Sequence, residues 1–451
     1  MKVLIISLFS IWAAVRASLG AAVKEEKWSE EQLKMLKRKQ NLHSPVEGAT
    51  EEVPRRREGG GFLFQGDMVL TSEQAEEFVD AMSDANERSK RQAFRDKNYP
   101  NTVWKNNRVA YFFDRSASER VRRVFKKGAQ VWRDNTCIDI YEDTCAISPD
   151  RIRVFMEEGC WSYLGRKGGE QNLSLGEGCD TIHSATHELG HALGFFHAHS
   201  RYDRGTTITV VRQNILEDWL DEFRLESRST NHNYDLPYDV GSIMHYGATV
   251  GSANKNPTMI PYDKLHTRTL GSPFVSFYDI LMLNKHYNCT DKCDPKTSAK
   301  CAMGGIPHPR DCSKCICPGG YAGRFCKERP SGCGQELIAS HSAKTFTDSI
   351  GDKSSRTVRE DFIKCHYLIK APPGKKVEVK LLHFSTSRIA ADGCKYGGVE
   401  IKTQVDQRLT GYRFCSLDNV NTTLVSPLNV VPIITFNRLY QTDTVIQYRY
   451  L

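Results

Sequence analysis

Read for its alternation of apolar and polar positions, the chain changes character several times. Residues 3–15 form an apolar run behind Lys2, followed by the small residues Ser18, Gly20 and Ala21. A charge, an apolar run and small residues in that order predict a secretory signal over 1–20, and the run is shorter than the ~20 residues of a membrane span. Residues 24–40 are charged with a helical look, and this cysteine-free stretch closes at the dibasic cluster Arg88-Ser89-Lys90-Arg91. Its place between a signal and the first cysteine-bearing segment reads as a propeptide over 21–91, processed after Arg91. Between 92 and 289 the periods mix. Residues 109–113 and 151–155 read as strands and 118–134 as an amphipathic helix, so this segment is α+β and the one long enough for a sizeable core. Residues 293–326 hold six cysteines with Gly304-Gly305 and Gly319-Gly320, too few apolar side chains for a core without cross-links. From Cys333 onward short alternating strands, such as 377–382 and 445–450, predict an all-β module.

Composition narrows the classes. With 39% hydrophobic and 26% charged residues the chain is not disordered as a whole. The net charge of +8 is not gathered into a basic block or an aromatic RNA-type motif, which argues against a nucleic-acid partner. No later segment is long and apolar enough to span a membrane. Fifteen cysteines suit an oxidising, extracellular location, and the odd number leaves at least one unpaired or intermolecular. In an exported chain Asn172, Asn288 and Asn421, each in an Asn-X-Ser/Thr sequon, are candidate glycosylation sites.

The densest chemistry lies in His187-Glu188-Leu189-Gly190-His191. Two imidazoles one helical turn apart share a face, with ~5 to 6 Å between their β-carbons, and both reach one zinc ion at ~2.0 to 2.1 Å. Gly194 then permits the positive φ that stops a helix and reverses the chain, and His197 returns as a third nitrogen ligand. Three histidines leave zinc a position for water, and Glu188 stands beside it as general base, the chemistry of peptide-bond hydrolysis. Downstream, Ser242-Ile243-Met244-His245-Tyr246 supplies a methionine turn beneath such a site. His183, His199 and His245 flank these motifs and read as ordinary polar residues.

These residues, with Ser200-Arg201-Tyr202-Asp203-Arg204 after the third histidine, closely resemble the two signatures of the astacin family of zinc endopeptidases, a metzincin group. The resemblance implies one zinc per catalytic domain over 92–289, a mixed sheet with a zinc helix, ligands His187, His191 and His197, base Glu188, and Tyr246 as a displaceable further ligand that stabilises the oxyanion. It also implies domain disulfides Cys137–Cys289 and Cys160–Cys179, with no counterpart for Cys145. The flanking segments are similar to an EGF-like domain (290–327) and a CUB sandwich (333–451), as in nematode-type astacins. The pairs implied there are Cys293–Cys312, Cys301–Cys315, Cys317–Cys326, Cys333–Cys365 and Cys394–Cys415, which leaves Cys145 as a free thiol or a disulfide link to another chain.

Further expectations follow from the same resemblance. Phe64-Gln65-Gly66-Asp67 matches the propeptide motif whose aspartate keeps a zymogen silent. Residues 172–175 look like the sheet edge along which an extended substrate lies. The glutamate that pairs with a buried mature amino terminus in many astacins is Ala198 here, so Gln92, freed at Arg91, is expected to be exposed or uncharged. The loop 271–274 lacks the arginine of members that prefer an acidic residue after the scissile bond, although Arg268 is near. Asp392 lacks the acidic neighbours of a calcium-binding CUB domain, with Glu360 and Asp361 as residual candidates. The implied function is a secreted zymogen that becomes an endopeptidase acting on extracellular, matrix or cuticle-like proteins. The rival reading is a matrix-binding scaffold with an inert protease domain, which intact Glu188, three histidines and Tyr246 disfavour.

Overall fold

A computed structural model describes residues 63–76, 93–95, 99–226, 231–385 and 389–451. The expected signal, the charged run 24–40, Arg91 and Gln92 lie outside the described residues.

The helical period near residue 120 becomes helix α1 (Glu119–Asn135), capped where the Ser118 hydroxyl accepts the Val121 N–H. Its buried positions Val121, Val124, Phe125, Gly128, Ala129 and Trp132 recur every three to four residues and face the core. Gly128 lies there because a β-carbon would meet Thr186 at 3.0 Å, so the glycine lets α1 approach α2 (Ile182–Ala192) closely. The Trp132 indole donates to Thr186 O at 3.0 Å across the same contact.

Against these helices lies a six-stranded sheet of β1 (Met68–Val69), β3 (Arg108–Phe113), β4 (Asp139–Glu142), β5 (Arg151–Phe155), β6 (Cys160–Tyr163) and β7 (Glu170–Leu175), in the order β1-β6-β7-β5-β3-β4. Strands β4, β3, β5 and β7 run parallel, and β6 folds back antiparallel to β7. This corrects the expected substrate edge. Strand β7, with Asn172, is paired on both sides, and the strand outside it is β6, itself covered in parallel by β1 with Met68 opposite Ser162. Apolar patterning could not separate the two, because a hairpin decides which of its strands lies outside.

Strand β2 (Ala93–Phe94) pairs with β9 (Asn231–His232), and Ala93 and Phe94 are 0% and 1% exposed. Ala93, the residue after Gln92, is therefore buried in the uncleaved chain. A smaller ladder joins β8 (Ile208–Val210) to β10 (Met259–Pro261), and α3 (Phe277–His286) closes the domain. Disulfides Cys137–Cys289 and Cys160–Cys179 cross-link it.

Next, the hairpin β11 (Ile306–His308) and β12 (Asp311–Ile316) is held by Cys293–Cys312, Cys301–Cys315 and Cys317–Cys326. The remaining chain is a two-sheet sandwich. One sheet orders β13 (Glu336–Ile338), β15 (Ile363–Lys370), β20 (Val430–Asn437), β17 (Gly397–Ile401) and β18 (Tyr412–Phe414). The other orders β14 (Lys344–Gly351), β21 (Gln441–Tyr450), β16 (Val377–Phe384) and β19 (Thr423–Ser426). Alternate residues Val377, Val379 and Leu381 of β16 are fully buried between the sheets, and Cys333–Cys365 and Cys394–Cys415 brace them. Cys145 is exposed and unbonded. No helix of the described residues is long and apolar enough to cross a membrane.

Candidate active site and metal centre

Helix α2 starts where the Thr181 hydroxyl accepts the Ser184 N–H, and it presents His187 and His191 one turn apart. It ends at Gly194, whose φ of 103° and N–H bond to His191 O at 2.8 Å turn the chain so that His197 comes back beneath the helix. The His191 Nε2 lies 3.1 Å from His187 Nε2, which is 3.2 Å from His197 Nε2. Backbone carbonyls hold two of the far ring nitrogens: His187 Nδ1 donates to Ile243 O at 2.8 Å and His191 Nδ1 to Phe195 O at 2.6 Å. His197 Nδ1 donates to Gln65 Oε1 at 3.2 Å. With each Nδ1 carrying the proton, three Nε2 lone pairs converge on one point.

Asp67 enters this point from the segment ahead of the domain. Its Oδ2 is 3.2 Å from His187 Nε2 and 3.0 Å from His197 Nε2, and its Oδ1 is 3.3 Å from His191 Nε2. Burial pushes the His197 imidazole down to about 4 and moves His191 the same way, keeping both neutral. Acceptors therefore face acceptors, and buried Asp67 Oδ1 receives no hydrogen bond. This donor set fits zinc: tetrahedral ligands at ~2.0 to 2.1 Å stand about 3.3 Å apart, close to the nitrogen separations found. Asp67, His187, His191 and His197 form a potential metal site.

The surrounding residues fix this geometry. Glu188, 1% exposed, follows His187 on the helix. Met244 is fully buried beneath α2, where a β-carbon on Gly190 would fall 2.7 Å from its sulfur. The turn is tied to α3 by Asp279, which accepts from Ser242 Oγ at 2.5 Å and Ile243 N at 3.0 Å while capping α3 with Ser276. Burial pushes the Asp279 carboxyl up to about 6. The Tyr246 ring lies 4.4 Å from that of His197, and its hydroxyl donates to Gln65 O at 2.5 Å. His245 meets Tyr238 Oη at 2.6 Å, away from the cluster, and Ala198 donates its N–H to Met244 O.

Two residues at the site were not legible in the sequence. Gln65 bridges the His197 ring, the Tyr246 hydroxyl and Glu226, to whose Oε1 its amide donates at 2.5 Å. His199, read as an ordinary polar residue, is fully buried and stacks on Tyr246 at 4.0 Å, fixed by Glu222 O at 3.0 Å. Neither spacing nor residue type marks these roles, which arise from packing. Of the sequon residues, Asn172 is half-buried in β7, while Asn288 and Asn421 are exposed.

A three-histidine centre on a helix and its returning loop, with a buried glutamate beside it, defines a zinc-dependent metalloendopeptidase. Residues 96–288 match the Astacin peptidase family. Zinc metalloproteinase nas-31 of Caenorhabditis elegans is 44% identical over 435 residues, covering 95% of this chain and 70% of that protein. Zinc metalloproteinase nas-29 of the same organism is 33% identical over 414 residues, covering 86% and 76%. Among solved structures, High choriolytic enzyme 1, a hatching enzyme zinc-protease from Oryzias latipes, is 30% identical, with a TM-score of 0.38 over 44% of this chain and 94% of that one. The chain belongs to the astacin family; it is a peptide-bond hydrolase with zinc as its cofactor.

Proposed function

We propose that the chain is a secreted zymogen that becomes an endopeptidase once cleaved after Arg91, with Glu188 as general base and Tyr246 as oxyanion donor. The organisation goes with it: signal 1–20, propeptide 21–91, catalytic domain 92–289, EGF-like module 290–327 and CUB module 333–451. The observation that carries the reading is the segment from Gln65 to Asp67, whose carboxylate sits among three convergent Nε2 atoms while Gln65 O takes the Tyr246 hydroxyl.

When bound by His187, His191 and His197, zinc supplies Lewis acidity to the substrate carbonyl and lowers the pKa of a water towards neutrality. The Glu188 carboxylate then takes the proton of the attacking water and returns it to the leaving nitrogen. The Tyr246 hydroxyl, released from Gln65, donates where oxyanion charge develops. In the uncleaved chain β1 covers the edge strand β6, so the same segment blocks both the centre and the strand against which an extended substrate pairs.

Substrates are proteins, here assigned to extracellular matrix or cuticle-like material. Seven intramolecular disulfides support an oxidising compartment. Exposed Cys145 is assigned a link between chains, checked by a reducible dimer that Cys145→Ser abolishes. The deciding experiment compares processed wild type with Glu188→Ala for zinc content and casein cleavage. The variant is expected to keep zinc and lose about 10²- to 10⁴-fold in turnover. A zinc-loaded, processed wild type that cuts nothing overturns the reading.

A further inference from the structure

Several acidic side chains of the sandwich meet the catalytic domain. At the rim Glu360 pairs with Arg123 at 2.8 Å and Lys127 at 2.7 Å, and Asp361 pairs with Lys127 at 2.5 Å. Solvent screens such contacts. Asp392 is different, because its side chain is only 8% exposed. Its Oδ2 accepts the Thr249 N–H at 2.7 Å and the Thr249 hydroxyl at 2.6 Å, and its Oδ1 lies 3.6 Å from the Arg268 guanidinium.

The backbones meet at the same place. A β-carbon on Gly247, the residue after Tyr246, would fall 2.8 Å from Asp392 Cβ, and one on Gly271 would fall 2.8 Å from Gly247 Cα. One on Gly393 would fall 1.7 Å from Gly271 O, and Gly393 holds a φ of 66°. Three glycines thus admit a sandwich loop, braced by Cys394–Cys415, against the segment that carries Tyr246. Thr249, which Asp392 grips, is three residues beyond that tyrosine.

We infer that Asp392 is a positioning and specificity-determining residue of the proteolytic site, supplied by the sandwich: it anchors the segment from Tyr246 to Thr249 and neutralises Arg268, whose guanidinium lies 3.6 Å from it. The inference rests on the proposed catalytic role of Tyr246. Two consequences follow from the geometry. Without the anchor, Tyr246 is less well held for the step in which oxyanion charge develops, so kcat falls more than KM changes. Without the negative charge, the Arg268 guanidinium attracts acidic substrate side chains near the cleaved bond. Asparagine at 392 separates the two, since its oxygen still accepts from Thr249 but carries no charge.

The test uses full-length, processed, zinc-loaded protein. Wild type, Asp392→Asn, Arg268→Gln and the double variant are assayed on peptides with aspartate replacing alanine at each position flanking the cleaved bond. The aspartate-to-alanine ratio of kcat/KM is expected to rise about five- to tenfold at one or more positions in Asp392→Asn, and to return to the wild-type value in the double variant. Arg268→Gln alone should lower that ratio, because it leaves the Asp392 carboxylate without its cation. Separately, amide exchange at Thr249, read without substrate, should quicken in Asp392→Ala and remain slow in Asp392→Asn. An unchanged ratio in Asp392→Asn, a raised ratio that survives in the double variant, or wild-type exchange at Thr249 in Asp392→Ala overturns the inference. If wild type cuts no peptide, the proposed function has failed, while the exchange measurement still decides the anchor.

Discussion

Gly190→Ala sets two known effects against each other at the centre of the site. Replacing a helix-interior glycine by alanine stabilises a helix by about 1 kcal/mol. Here, however, the new β-carbon falls 2.7 Å from the Met244 sulfur and 3.2 Å from its methyl carbon. The first distance is about 1 Å short of the ~3.5 to 4.0 Å at which nonbonded heavy atoms rest. Met244 is fully buried, so it yields only by pushing its neighbours, and overpacking of this kind costs about 1 to 3 kcal/mol. The clash wins or breaks even, for a net loss of about 0 to 2 kcal/mol, or about 2 to 4 °C in Tm per kcal/mol for a domain of this size. The displacement also has a direction. Ile243 O holds His187 Nδ1, and Met244 O takes the Ala198 N–H beside His197, so moving the turn misaligns two imidazoles. Zinc affinity should fall about tenfold or more, as when a ligand's hydrogen-bond partner is disturbed. Scanning calorimetry and chelator competition measure the two effects. Gly190→Ala/Met244→Leu, with a shorter side chain beneath the helix, should recover part of each. A single variant with a higher Tm and unchanged zinc affinity would refute the reasoning.

Two other outcomes are expected. In a chain kept uncleaved by Arg91→Gln, Asp67→Ala should show peptide hydrolysis well below that of processed enzyme, because Met68, Val69 and Leu70 stay buried at about 2 kcal/mol each and hold the segment in place. Adding Met68→Ala should raise the leak, and a zinc-loaded double variant that remains silent would exclude this segment as the latch. For Asp279 the folded pKa of about 6 lies above the unfolded 3.8, so its favourable contribution is complete below pH about 4 and lost as pH rises through 6. Asp279→Asn removes that slope, so its stability relative to wild type should improve by up to about 3 kcal/mol between pH 4 and 7 in urea melts. A pH-independent difference would show that Asp279 stays ionised throughout.

Much of the molecule was legible in local pattern. Helix α1 and strands β3, β5, β16 and β21 follow the periods of their own residues, since the alternation of apolar side chains is set by the backbone repeat. The metal centre was legible for a related reason: His187 and His191 are one turn apart on a helix, and Gly194 limits where the chain can return, so the spacing of His197 constrains a position in space. What tertiary structure alone decided are the contacts between segments distant in sequence. The sequence could not tell that β6 lies outside β7, because a two-residue period runs equally through inner and outer strands. Nor could it show that His199 stacks on Tyr246, that Gln65 bridges His197 and Tyr246, or that Asp392 reaches across two modules to Thr249. Those roles depend on distances between chain segments up to 181 residues apart, which periodicity does not encode and packing does.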